Sequence, residues 1–138
     1  MDSGKVEKKV GRYENVSFPE LNIDKIKGKI DTGAYGIALH VDDIEVVDGK
    51  LKFRIDSNEF VYEKFKKVSV KSSFGRKQER FLIFTKIKIG ESRYKFFISL
   101  ANRKNMRYPV LIGRRFLHKF NYIVDVRMKN INDTDKKK

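Results

Sequence analysis

The apolar residues of this chain fall mostly into runs too short for anything but strands, and turn signals separate the runs. Leu51, Phe53 and Ile55 alternate with Lys52, Arg54 and Asp56, the period of a half-buried strand. Asp48-Gly49 lies just before them and just after the apolar Ile44, Val46 and Val47. Asp-Gly supplies the positive φ angles of a tight hairpin, so these two runs read as a strand pair. Phe81 to Ile89 and Tyr94 to Leu100 read as a second pair, joined at Gly90-Glu91-Ser92. The consecutive apolar residues Phe81, Leu82, Ile83 and Phe84 predict a strand covered on both faces. Val68 and Val70 mark another strand, which ends in Lys71-Ser72-Ser73-Phe74-Gly75-Arg76, and Tyr122, Val124 and Val126 mark a last one. Only Arg114 to Lys119 reads as a helix. Many short strands with one short helix near the C-terminus predict an all-β fold, a barrel or a sandwich.

A chain of 138 residues is one domain's worth. Eleven Phe and six Tyr, within 40% hydrophobic residues, are enough to fill a core. Residues 1–9 read as a flexible N-terminal arm, 10–127 as the domain and 128–138 as a basic C-terminal tail. The absence of Cys excludes a disulfide, a thiolate nucleophile and a zinc–thiolate site. No apolar run is long enough to span a membrane, and the first residues lack the apolar stretch of a signal peptide. The expectation is a soluble cytoplasmic protein with no membrane partner. Lys and Arg number 32 against 18 acids, a formal charge of +14. That favours acidic partners, and a solvated Lys-rich surface accounts for it as well.

Two segments could carry chemistry. In Lys29-Ile30-Asp31-Thr32-Gly33-Ala34 an apolar strand runs into a carboxylate, a hydroxyl residue, a Gly and an Ala. A catalytic carboxylate needs that order: it leaves the strand on a tight loop, Thr32 can fix the loop, and Gly33 removes the Cβ that would block a close approach. An ordinary turn with Asp as side-chain acceptor reads the same way, and Asp-Thr-Gly should arise by chance in about one chain in sixty of this length. The second segment is Tyr108 to Leu117, where the apolar Val110-Leu111-Ile112 meets Gly113 and then a short helix opening on Arg114 and Arg115.

The two segments in this order resemble the retropepsin-like aspartic proteases, in which they form the base of the active site. The turn at Ser72, Ser73, Phe74 and Gly75 falls where that family carries its flap, the lid over the substrate. A closer resemblance covers Val10 to about Val126. It rests on Val10-Gly11-Arg12, Phe18-Pro19-Glu20-Leu21, Ile30 to His40, Ser72 to Gly75, Glu79-Arg80 and Pro109 to Leu117. These look like a prokaryotic family with a retropepsin-like core, long labelled as ATP-dependent zinc proteases. Several members are encoded beside ATP-grasp ligases that add glutamate to proteins, and trimming such tails is one role assigned to the family. This sequence departs from the family at Tyr35-Gly36-Ile37, usually basic and hydroxyl-rich, and at Asn102 to Met106.

The resemblance implies a closed barrel with Asp31 as the catalytic carboxylate. Thr32, Gly33 and Ala34 would form the active-site loop, and Leu111, Ile112, Gly113 and Arg114 the base. The residues do not support the zinc and ATP labels, and no cofactor is expected. His40 and His118 are too few to hold zinc, and no phosphate-binding loop occurs. Aspartic proteolysis needs two carboxylates that share a proton, and this chain has one Asp-Thr-Gly and no internal repeat. The second carboxylate must then come from a second copy across a two-fold axis, so a homodimer is expected. By resemblance, the strand at Tyr122 to Val126 would help to build that contact.

Basic residues flank the expected flap and the Gly113 turn. Lys64, Lys66, Lys67, Lys71, Arg76, Lys77 and Arg80 surround the expected flap, and Arg103, Lys104, Arg107, Arg114, Arg115 and Lys119 surround the Gly113 turn. If they share one cleft, it attracts acidic substrates. The expectation is an aspartic-type peptidase acting on acidic peptides or glutamyl tails. The alternative is a non-catalytic basic module for acidic protein tails or, less favoured, nucleic acid. In that case Phe60, Tyr62 and Phe65 would suit base stacking, although they suit a core better.

Overall fold

The computed structural model describes residues 8–71, 75, 77–102 and 107–133. In chain order the strands are β1 (Lys8–Val10), β2 (Tyr13–Phe18), β3 (Ile23–Ile30), β4 (Ile37–His40), β5 (Asp42–Val47), β6 (Lys50–Ile55) and β7 (Asn58–Tyr62). Then follow β8 (Lys66–Lys71), β9 (Lys77–Ile89), β10 (Ser92–Ala101), β11 (Val110–Ile112), the helix α1 (Arg114–Lys119) and β12 (Tyr122–Val124). Six strands form a closed barrel in the order β10-β4-β11-β3-β2-β9, because β9 pairs back onto β10. β8 extends from the other edge of β9 as one arm of a hairpin. β5, β6 and β7 make a separate three-stranded sheet, and β1 and β12 a parallel pair. The all-β closed barrel with a single short helix is the architecture expected.

Alternation explains which side chains enter the barrel. Glu14, Val16 and Phe18 of β2 point inward, as do Ile83, Thr85, Ile87 and Ile89 of β9. The apolar ones among them pack with Leu39, Ile98, Val110, Ile112 and Phe116 into one core. The Asp48-Gly49 turn joins β5 to β6 with φ of 52° and 76°, the positive angles expected of that dipeptide. Phe60, Tyr62 and Phe65 are half-buried against the core, and Phe53 stacks on both Phe60 and Tyr62. Packing against the core is the role that suits them better.

Two expectations are corrected. The run Phe81 to Phe84 is not covered on both faces: Ile83 is buried but Phe84, on the barrel's outer face beside Phe97, is 46% exposed. Val126 lies outside β12. Hydrogen bonds tie both ends of the described chain to the barrel. Lys8 and Lys9 pair with Tyr122 and Ile123. At the other end, fully buried Glu14 accepts bonds from the backbone N–H of Gly11 (2.7 Å), Asn132 (3.1 Å) and Ile131 (3.3 Å). A buried carboxylate is tolerated only when its oxygens are satisfied, and these N–H groups do that. The requirement ties the segment after β12 to the barrel.

Candidate active site

β3 and β11 run parallel, with Gly28, Lys29 and Ile30 opposite Val110, Leu111 and Ile112. The last bond of that ladder is from the Asp31 N–H to the Ile112 carbonyl, 2.9 Å. The chain then turns at once. The Ala34 N–H donates to the Asp31 carbonyl (3.0 Å), and the Gly33 N–H donates to Asp31 Oδ1 (3.1 Å). Asp31 is half-buried, while Thr32 and Gly33 are exposed. A carboxylate is thus held by its own loop at the mouth of the barrel, open to solvent on one side.

The second segment closes on the first through backbone. A Cβ on Gly113 would lie 2.5 Å from the carbonyl oxygens of both Ala34 and Gly36, so only Gly lets the two turns touch. Helix α1 begins there with two N–H groups that have no partner inside the helix. Arg114 N–H donates to the Ala34 carbonyl (2.9 Å) and Arg115 N–H to the Tyr35 carbonyl (3.0 Å). The guanidinium of Arg114 folds over the same loop. Its Nη1 lies 3.1 Å from the Gly33 carbonyl, 3.3 Å from that of Ala34 and 3.5 Å from that of Thr32. Arg115 Nη1 donates to the Tyr35 hydroxyl (2.7 Å), and both guanidinium groups lie against the Tyr35 ring, which is 61% exposed.

The structure therefore brings Asp31, Thr32, Gly33 and Ala34 together with Ile112, Gly113 and Arg114, and sets half-buried Leu111 beside Lys29. Of the expected flap, Ser72, Ser73 and Phe74 lie outside the described residues. Gly75 has φ +83°, in the connection whose flanking pair is Lys71 and Lys77. His40 ends β4 with its Nε2 3.4 Å from Asp42, and His118 is exposed on α1. Among the described residues no group of three or more His, Asp or Glu is placed to hold a metal.

The cations are arranged differently from the sequence expectation. Arg114 and Arg115 turn back onto the loop, and Lys67 pairs with Glu79 at 3.3 Å. Arg76, Arg103 and Lys104 lie outside the described residues. Three cations not grouped from the sequence gather around a stacked Tyr13–Tyr108 pair. Lys27 Nζ is 4.6 Å from the Tyr13 ring, Lys29 Nζ is 5.7 Å from that of Tyr108, and Arg12 is 5.5 Å from that of Tyr13. Lys29 lies on β3 two residues before Asp31, so this cluster sits at the end of the strand from which Asp31 leaves. Only the long-range pairing of β2 with β3, Tyr13 opposite Lys29, assembles it.

Replacing Arg114 tests the clamp. Arg114→Ala should loosen the loop, lowering any Asp31-dependent turnover by about tenfold and stability by about 1 kcal/mol, an exposed charge-assisted contact being worth little more. Arg114→Lys should recover only part of this, because an ammonium lacks the planar reach of guanidinium. Turnover and denaturant midpoints equal to wild type in both variants would show that the clamp does not hold the loop.

The family described as RimB-like, retropepsin-like aspartic endopeptidase RimB, matches residues 9–135. A probable α-L-glutamate ligase of Desulfotalea psychrophila (strain LSv54) is 32% identical over 117 residues, covering 76% of this chain and 25% of that protein. A protein of the same name from Shewanella pealeana is 28% identical over 117 residues, covering 76% and 26%. The chain thus spans about a quarter of the length of these curated relatives. A crystal structure of a Legionella pneumophila DUF785 protein of unknown function superposes with a TM-score of 0.72 at 24% identity, over 93% of this chain and 100% of that one. At that identity the likeness shows the fold alone.

Proposed function

This chain belongs to the RimB-like family of retropepsin-like aspartic endopeptidases, and on that premise we propose that it hydrolyses acidic peptide bonds, with glutamyl tails as the substrate class, through a pair of Asp31 carboxylates in a homodimer. The observation that carries the reading is Asp31 on its strand-end loop, bonded to the Gly33 N–H and backed by the Gly113 turn. One chain supplies one such carboxylate. A dimer would set the two face to face, where like charges so close keep one proton between them. The ionised member takes a proton from water as the water oxygen bonds to the scissile carbonyl carbon. The protonated member gives its proton to the carbonyl oxygen. Collapse of the tetrahedral intermediate then breaks the C–N bond, and the amine leaves with a proton.

The dimer reading has support near Asp31. Ile30 N–H donates to the Arg12 carbonyl (2.9 Å) and Arg12 N–H to the Met128 carbonyl (2.7 Å). That chain of bonds places the segment after β12 beside the Asp31 end of β3. Ile123, Val126 (69%) and Met128 are exposed there, and such apolar surface suits a second copy. Arg127 holds the Asp125 carboxyl down at about 2. The pairing therefore supports this turn at every pH above the ordinary carboxylate value and is lost only as pH falls through about 2.

The acidic substrate class rests on the cluster of Arg12, Lys27 and Lys29 and on the α-L-glutamate ligase names of the curated relatives. The test is hydrolysis of a peptide with an α-linked oligoglutamate tail beside the same peptide with a lysine tail. The glutamate tail should be cut about tenfold faster at low salt, and the difference should shrink at physiological ionic strength, where charges are screened beyond roughly 8 Å. Equal rates for the two tails at low salt would contradict the substrate assignment.

A further inference from the structure

The outer face of β9 and β10 carries a pattern that the Asp31 site does not use. Phe84 and Phe97 lie opposite each other across the two strands, with ring centroids 4.9 Å apart. They are 46% and 37% exposed. Two residues further along this face Lys86 is opposite Lys95, and two further again Lys88 is opposite Arg93. Like charges directly across an antiparallel pair cost stability, so two successive such pairs call for an anion. The four cations line one cleft of about 800 Å³, which also takes in Asn22, Ile23 and Asp24. Among the described residues Lys86 alone of the four pairs with a carboxylate, Glu20 at 4.0 Å. The start of β3 borders this cleft and Asp31 follows its far end, so the two sites are roughly 25 Å apart at about 3.3 Å per residue.

Charge alone fits any polyanion. The rings narrow the choice. Lys95 Nζ sits 5.2 Å from the Phe84 ring, and Lys66 Nζ 4.7 Å from that of Phe97. An exposed cation–π contact is weaker than stacking of a nucleobase on an aromatic side chain, so a base can displace each lysine and leave it beside a phosphate. An acidic peptide would satisfy the cations and leave the rings uncovered. A duplex would hide its base faces from them.

We propose that this face binds single-stranded nucleic acid, with bases stacked on Phe84 and Phe97 and the phosphates led along Lys86, Lys95, Lys88 and Arg93 into the cleft. A pair of aromatic platforms feeding a cationic track reads no sequence. Affinity should therefore be tolerant of base identity and steeply dependent on salt.

The experiment is fluorescence anisotropy of the intact chain with short labelled oligouridylate and oligothymidylate, repeated in the Asp31→Asn protein. Both single strands should bind, equally well in both proteins, because Asp31 is remote. Phe84→Ala and Phe97→Ala should each weaken binding about tenfold, and the matching Tyr variants should keep it. Both Phe side chains are surface groups, so the Ala variants should fold, which a thermal melt checks. Lys86→Gln with Lys88→Gln should lower the salt slope by about two. The proposal is overturned if neither single strand binds, if a duplex of equal length binds as tightly, or if loss of both rings leaves affinity unchanged. Ring-dependent binding of oligoglutamate at equal affinity would also overturn it, in favour of an acidic protein partner.

Discussion

Asp31→Asn should lower peptide hydrolysis by about a thousandfold or more while the chain folds and associates as before. Asn matches Asp in shape. Its side-chain oxygen can still accept the Gly33 N–H bond, and the Asp31 backbone bonds to Ile112 and Ala34 are untouched. The loop is therefore preserved and packing barely changes. The substitution removes the group that takes a proton from water. In the proposed homodimer, two-fold symmetry would remove it from both halves of the site at once, so no intact carboxylate would be left to act in its place. In a purely binding role the same change would be nearly silent, because Asp31 lies in cationic surroundings and its loss would tighten an acidic ligand slightly. Turnover and acidic-peptide affinity of the two proteins, measured side by side, separate these cases. Unchanged turnover in Asp31→Asn would remove Asp31 from the mechanism.

Gly113→Ala should destabilise the protein by about 2–4 kcal/mol and take the activity with it. The added methyl would sit 2.5 Å from the carbonyl oxygens of Ala34 and Gly36 and 2.8 Å from the Ala34 carbonyl carbon. These are backbone atoms, which no rotamer change can move aside. Either the Asp31 loop must lift away from α1, losing the bonds from Arg114 and Arg115 N–H, or β11 must shift within the barrel. Gly36→Ala is the matched control, since a Cβ there meets nothing within 4 Å. It should change stability by no more than about 0.5 kcal/mol. Equal denaturant midpoints for the two variants would show that the contact at Gly113 is not a constraint.

What could be read from the sequence was what depends on near neighbours. Asp48-Gly49 specified its hairpin because the dipeptide's own backbone preferences suffice. Arg114 to Lys119 was legible as a helix because Gly113 precedes it and no β-branched residue interrupts it. The segments around Asp31 and Gly113 stood out one by one. Their meeting depends on β11 entering the barrel between β3 and β4, a non-local pairing that no local pattern encodes. The grouping of Arg12, Lys27 and Lys29 was not legible for the same reason, since β2 carries Arg12 and Tyr13 to Lys27 and Lys29 from a different part of the chain. The run Phe81 to Phe84 misled because four apolar residues in a row carry no period. Only the closed barrel decides that Ile83 is inside and Phe84 outside. Glu14 shares the inward face of β2 with Val16 and Phe18, and its carboxylate is satisfied there only because residues 131 and 132 return to β2.

The central claim is that one active site is made by two copies of Asp31. Mixing wild-type chain with Asp31→Asn chain, exchanged to equilibrium at fixed total concentration, tests it most directly. If each site needs a carboxylate from both partners, mixed dimers are dead. An equal mixture should then retain about a quarter of the wild-type rate, because that is the share of dimers with two intact copies. Activity falling in proportion to the square of the wild-type fraction is the predicted result. A linear fall, with half the rate left in the equal mixture, would show that each chain works alone and would contradict the account.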